Sequence, residues 1–266
     1  MKVKSATIEI RPRKVTEIID LGMLFYRTHL PVIFPVLAVL GVPLIAAAVG
    51  LHYLTDKAWI SICFFWLTLS IPTGAVVLTA SKLVFGNRLT AQEAISLYRG
   101  EWFKLFIWRI GQKILVVTLM PIIVGYFLRL RWAFTPMIVL LERLSGHSLG
   151  LRRRGLRRRG GASAFGMDIL LLLLIVTILL GLMLVLELLF GNILALWTDD
   201  GLFSEAVFNE PLKLGVWMLA LLAITPVGTL SWFFLYLDAR IRGEGWDLEL
   251  GLKATASRIP SDEEVA

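Results

Sequence analysis

Residues 169–190 read ILLLLLIVTILLGLMLVLELLF, with Glu187 as the only ionisable side chain. A run of roughly 20 apolar residues is what a helix needs to cross a hydrocarbon core about 30 Å thick. No water is available there to satisfy backbone N–H and C=O groups, so the segment must bond internally as a helix. Lipid rather than water is the solvent this stretch is built for.

The span it belongs to is expected at about 167–190, and working outward five more apolar blocks flank it: about 31–53 with Pro35 and Pro43, 58–81 with Pro72 and Gly74, 103–122, 125–144, and 212–236 with Pro226. Of the 266 residues, 57% are hydrophobic and 18% charged. A soluble domain is roughly 45–50% apolar and about a quarter charged. The expected fold is therefore all-α: a polytopic membrane helical bundle of six transmembrane helices in three hairpins. Prolines inside such helices are expected to kink them.

The charges give an expected orientation. One set of polar stretches carries Lys2, Lys4, Arg11, Arg13, Lys14 and Arg27, then Lys82, Arg88, Arg99 and Lys104, then Arg143 and two arginine triplets. With six spans, all of these fall on one side. The other side holds Thr55-Asp56-Lys57 and an acidic loop with Asp199, Asp200, Glu205 and Glu210. Basic loops stay inside, so both termini are expected in the cytoplasm and the protein in the cell (inner) membrane. Trp59, Trp102, Trp132, Trp197 and Trp217 lie near the expected interfaces, where indole is favoured. The first apolar block begins near Leu30, after a long polar stretch, which does not fit a cleavable leader.

A weak repeat underlies the pairing of spans. Residues 15–30 read VTEIIDLGMLFYRTHL, and 89–103 read LTAQEAISLYRGEWF. Ile18, Ile19, Leu21, Leu24 and Phe25 make one apolar face at helical spacing; Ile95, Leu97 and Tyr98 make a second. Such helices lie in the membrane interface. Interfacial amphipathic helices are thus expected at about 14–28, 89–101 and 147–160, each before a hairpin. Residues 1–250 form one membrane domain, and 251–266 a polar, disordered cytoplasmic tail.

The central hairpin carries the most chemistry. Its charge-free part, 114–127, is too short for two spans of about 20 residues. Either Arg109, Gln112 and Lys113 enter the membrane on the third helix, Arg109 and Lys113 being four apart and so on one face, or Arg129 and Arg131 enter on the fourth, or the hairpin is re-entrant. Glu142 is the expected counter-charge. Two readings stay open: the long cationic stems snorkel to the headgroups, or Arg109, Lys113, Arg129, Arg131 and Glu142 form an intramembrane polar or lipid-headgroup site. The triplets Arg152, Arg153, Arg154 and Arg157, Arg158, Arg159 form a candidate patch for anionic lipid headgroups at the cytoplasmic face.

Other classes are disfavoured. The net charge of +7 belongs to loops between apolar blocks, so lipid headgroups, not nucleic acid, are the expected partners. A single cysteine, Cys63, excludes an intrachain disulfide or a thiolate metal cluster. His29, His52 and His147 lack metal-ligand spacing, and no phosphate loop or nucleophile elbow is present. No catalytic residue, metal or cofactor is expected. Glu187 sits near an outer interface and is expected to reach it.

Three stretches together carry a family resemblance: Arg11-Pro-Arg with Glu17-Ile-Ile-Asp and Tyr26-Arg27; Arg131-Trp with Pro136-Met-Ile-Val-Leu-Leu-Glu142; and Tyr236-Leu-Asp-Ala-Arg-Ile-Arg with Glu244-Gly-Trp-Asp-Leu-Glu-Leu250. The chain resembles the prokaryotic six-helix family named after the membrane domain of glycerophosphoryl diester phosphodiesterase. It departs at the arginine triplets, where relatives have an Arg-Ser pair before a Gly-containing helix. The family's name comes from fusion to a catalytic barrel of about 250 residues. These 266 residues leave no room for one beside the helices, so phosphodiesterase activity is not implied. The expected function is a non-enzymatic multi-pass scaffold or accessory protein that binds anionic headgroups, with a possible protein partner in the membrane. The alternative is a small transporter or lipid-translocating protein using the charged hairpin.

Overall fold

The computed structural model describes residues 13–86, 89–100, 102–119, 124–195 and 211–244, and among these every regular element is helical. The acidic loop at 199–210, the tail at 251–266 and the tip of the central hairpin lie outside the described residues.

Helix α1, Val15–Thr28, buries Ile18, Ile19, Gly22 and Phe25, a stripe at i, i+1, i+4 and i+7. Leu24 was expected on that face but is 61% exposed, because the stripe turns about Gly22 instead. A Cβ at Gly22 would come within 2.8 Å of the Ser231 hydroxyl, so glycine lets α1 press onto the backbone of the last helix. That contact is clamped at its polar end. Asp238 accepts from the Arg13 N–H at 2.8 Å and from Arg242 at 2.7 Å, and Arg242 also donates to the Arg13 carbonyl.

Helix α2, Leu30–Thr55, runs through Pro35 and Pro43 and ends at Asp56 in the left-handed region, where a short polar side chain is tolerated. Helices α3, Ala58–Thr68, and α4, Ser70–Val84, are one apolar rod broken at Leu69. The break has a cause three residues on. Pro72 has no N–H to give and its ring collides with the preceding turn.

Helix α5, Ala91–Tyr98, opens with a reciprocal cap. The Thr90 N–H donates to Glu93 Oε2 at 2.9 Å, and the Glu93 N–H donates to Thr90 Oγ1 at 3.4 Å. It buries Ala94 and Tyr98, while Leu97 is exposed. Helix α6, Trp102–Leu119, is followed by α7, Val124–Arg131, a turn at 132–134, the short α8, Thr135–Met137, and a π-helical turn at Ile138–Glu142. Arg143, left-handed at φ 53°, closes that turn.

Helix α9, Gly146–Ala195, is a single helix of 50 residues. The repeat leads to the expectation of a separate interfacial helix at 147–160, and each glycine of this basic segment costs a helix about 1 kcal/mol against alanine. Packing overrides them. Leu149, Leu156, Ala164, Met167 and Leu171 form one buried stripe through both halves, and α9 packs mainly on α10. At 1.5 Å per residue the helix is about 75 Å long, more than twice the hydrocarbon thickness, so only its apolar half can be transmembrane. Helix α10, Pro211–Glu244, is the hub, packing on α1, α2, α4 and α9.

The sequence reading expects six spans. Among the described residues four helical stretches are long and apolar enough to cross a membrane: Leu30–Thr55, Ala58–Val84, Ser163–Leu182 and Lys213–Gly243. The α10 window is 61% buried within the bundle, whereas that of α9 is 17% buried. Phe34, Val39, Leu172, Leu173, Leu180 and Leu184 are among the side chains left outside. A soluble protein does not expose apolar surface on this scale; the surface is that of a membrane-embedded bundle. The expected third and fourth spans are occupied by the shorter α6, which carries Lys104, Arg109 and Lys113, and by the interrupted series α7, α8 and π turn.

Candidate functional site

Between residues 102 and 186 the chain has twelve lysines and arginines but only two carboxylates, Glu142 and Asp168. Where those two point organises the rest.

Asp168 sits on α9 five residues past Ser163, at the start of the apolar window, and is buried. Its Oδ1 accepts from Arg129 Nη2 of α7 at 2.8 Å. Asp168 falls inside the span expected at about 167–190. The available signal was scarcity: it is one of only two possible counter-charges in 85 residues of sequence.

Glu142 does not reach Arg109 or Lys113. It binds Arg152 through both oxygens, at 2.6 Å to Nε and 2.9 Å to Nη2, and accepts from the Tyr236 hydroxyl of α10 at 2.6 Å. This fork-to-fork geometry is the strong form of the arginine–carboxylate pair. The expected counter-charge of the hairpin therefore anchors the first arginine triplet, drawing Arg152 toward the bundle.

Lys113 bonds to backbone carbonyls. Its ammonium donates to the backbone carbonyl of Trp66 and to that of Leu67 at 3.2 Å, and lies 4.8 Å from the Trp66 ring centroid. The carbonyls belong to the last turn of α3, beside the Leu69 break. A cation there meets the negative end of that helix and satisfies backbone groups that hydrocarbon cannot.

Arg109 is on the same face of α6, one turn earlier. Together with Gln112, Arg129 and Asp168 it lines a cavity of about 300 Å³ between α4, α6, α7, α9 and α10. Thr225 and Thr229 of α10 add hydroxyls to its wall. Buried Nε of Arg109 and buried Oε1 of Gln112 have no hydrogen-bond partner, while Gln112 Nε2 makes a long contact of 3.5 Å to the Trp132 carbonyl. Thus the structure brings Arg109, Gln112, Arg129 and Asp168 together and sends Lys113, Glu142 and Arg131 elsewhere.

Arg131 faces the basic arm of α9. With Arg153, Arg154, Arg157 and Arg158 it lines an open cleft of about 650 Å³. Arg153 and Arg157, like Arg154 and Arg158, are one helical turn apart, where like charges repel. Partial burial, then the charges of Arg131, Arg154 and Arg157, lower the Arg153 pKa below the ordinary guanidinium value. Arg153 also lies 5.9 Å from the Trp132 ring. The cleft concentrates positive charge with no carboxylate among the described residues of its lining, which suits a phosphate-bearing anion. The side chains of Arg159 and Glu187 are outside those described.

Among the described residues no three His, Cys, Asp or Glu side chains converge as metal ligands. No family model, no curated protein and no solved structure matches the chain.

Proposed function

We propose that this chain is a non-enzymatic multi-pass protein of the prokaryotic cell membrane, a scaffold or accessory subunit that holds anionic lipid headgroups in the arginine cleft. In this reading six helices span, with α6 and the interrupted α7–α8–π series as the third and fourth, and both termini lie in the cytoplasm. The motifs quoted above align it with the six-helix family it resembles.

One observation carries the proposal. Of the two carboxylates among residues 102–186, Asp168 is engaged by Arg129 and Glu142 by Arg152. Among the described residues no carboxylate lines the cleft of five arginines, which leaves it suited to an anion. At about 1 kcal/mol for each basic residue near an anionic leaflet, the cleft is a strong attractor for phosphatidylglycerol-like lipids.

The test is native mass spectrometry of the purified chain in nonionic detergent, titrated with dioleoylphosphatidylglycerol or dioleoylphosphatidylcholine. The anionic lipid is expected to bind preferentially. Replacing Arg153, Arg154, Arg157 and Arg158 by Gln is expected to weaken it by about a hundredfold or more, with helicity and elution volume unchanged. Equal retention of both lipids by the native chain overturns the proposal.

The cavity beside Arg109 favours a second reading, lipid or solute translocation, because a polar chamber inside the bundle is what such a path requires. Movement of a fluorescent phospholipid between leaflets of reconstituted vesicles, abolished by Arg109→Gln, would support it. No movement above protein-free vesicles removes it.

A further inference from the structure

The chamber at Arg109 is charge-unbalanced inside the bundle. Arg109 and Arg129 are within electrostatic reach of each other. Among the described residues Asp168 is the only carboxylate in the lining, and its Oδ1 is taken by Arg129. One guanidinium therefore lacks a counter-ion, and its Nε is buried without an acceptor. An unpaired buried charge is costly, and buried donors normally find partners. Nearby, the Tyr98 hydroxyl is also buried without a partner, and Tyr98 interacts electrostatically with Arg109. Two unsatisfied polar groups of the lining, Arg109 Nε and Gln112 Oε1, thus accompany one uncompensated cation, and Tyr98 Oη of α5 lies outside the lining.

The rest of the wall says which anion fits. Across from the polar groups the lining is Leu171, Leu172, Ile175 and Trp232. Leu172 is 60% exposed on the apolar flank of α9, so the chamber meets the bilayer sideways. Its volume is several times that of a bare phosphate and suits a whole headgroup with the first carbons of its chains. Polar end and apolar flank together describe an amphiphile.

We infer that the cavity between α4, α6, α7, α9 and α10 binds the phosphodiester of one membrane phospholipid, with the Arg109 guanidinium donating to a phosphate oxygen and the acyl stems leaving past Leu172. The Gln112 amide, also in the lining, is placed to meet the remaining headgroup oxygens. The site assumes that the helices span a membrane but is independent of the arginine cleft.

Thermal unfolding of the lipid-depleted chain in nonionic detergent, followed by tryptophan fluorescence, separates the possible sources of the anion. Three additions are compared: dioleoylphosphatidylglycerol, dioleoylglycerol, which lacks the phosphate, and inorganic phosphate. Only the phospholipid is expected to raise Tm. Arg109→Gln removes an unpaired buried charge, so it is expected to fold and to bind the phospholipid about tenfold or more weaker. Leu172→Trp, at a lipid-facing position, is expected to close the mouth and abolish the shift with Arg109 intact. The quadruple Arg153, Arg154, Arg157 and Arg158→Gln chain is expected to retain it. Equal protection by dioleoylglycerol, or an undiminished shift in Arg109→Gln or Leu172→Trp, overturns the site. Protection by inorganic phosphate as strong as by phospholipid overturns the lipid as its occupant, and loss of the shift in the quadruple chain overturns its independence from the cleft.

Discussion

Arg129 donates to Asp168 across 2.8 Å, yet the two sit in different surroundings: the arginine side chain is 50% exposed and the aspartate 5%. The pair is an exposed cation reaching inward to a buried anion. This asymmetry decides what happens when either partner is lost.

Arg129→Met strands a buried carboxylate and is expected to cost about 3 kcal/mol, the scale for breaking a buried pair. Asp168→Asn leaves Arg129 free to swing to the headgroups and is expected to cost about 1 kcal/mol. Chemical denaturation in mixed micelles checks the order; equal losses would mean that the aspartate is not confined as the structure has it.

Lys113 and Pro72 are expected to be coupled. Pro72 breaks the α3–α4 rod at Leu69, and Lys113 supplies the donor that the adjoining carbonyls of Trp66 and Leu67 receive. Lys113→Met is expected to cost about 2 kcal/mol. In a Pro72→Ala background the ring clash is gone, the Ser70 and Ile71 N–H groups can close onto the Trp66 and Leu67 carbonyls, and the same change is expected to cost less than half as much. A double-mutant cycle on Tm reads the difference.

Gly41 is where α2 meets α10. A Cβ built there would lie 2.3 Å from Leu222 Cδ2, well inside contact distance. Gly41→Val is expected to destabilise by about 1–3 kcal/mol, as overpacking does. Gly41→Val with Leu222→Ala is expected to recover most of it. Gly50, with nothing nearby, is the control: Gly50→Ala is expected to be neutral or mildly stabilising.

The α5 cap has a pH signature. The Thr90 backbone N–H, and secondarily its hydroxyl, lower the Glu93 pKa below the usual carboxylate value. A depressed folded-state pKa stabilises above the unfolded value, and the contribution is lost as pH falls through the folded one. Amide protection at Ala94 is therefore expected to be constant at neutral pH and to fall below about pH 4. Glu93→Gln is expected to be insensitive over the same range. Hydrogen exchange corrected for intrinsic rates measures both.

How much could be read in advance differs by element. Residues 169–190 announce a helix in lipid by length alone, and Ile18, Ile19 and Phe25 announce a one-sided helix by period, since both signals are local. The basic arm of α9 reads as a separate helix because the repeat is a pattern along the chain, whereas the stripe from Leu149 to Leu171 that joins the arm to the span acts through contact with another helix. In the candidate site the hairpin cations were visible as misplaced charges. Asp168 was not, for it lies at the edge of an apolar run where acids are ordinary.

From its sequence alone this protein had its solvent determined: long apolar blocks interrupted by basic loops are compatible with helices in a membrane and little else. Only the tertiary structure decided which charges meet. Arg129 finds Asp168, Glu142 finds Arg152 and Tyr236, and Lys113 finds the carbonyls of α3. Those pairings depend on the rotation and depth of each helix against its neighbours, quantities that arise when faces pack and that no periodicity along one chain encodes.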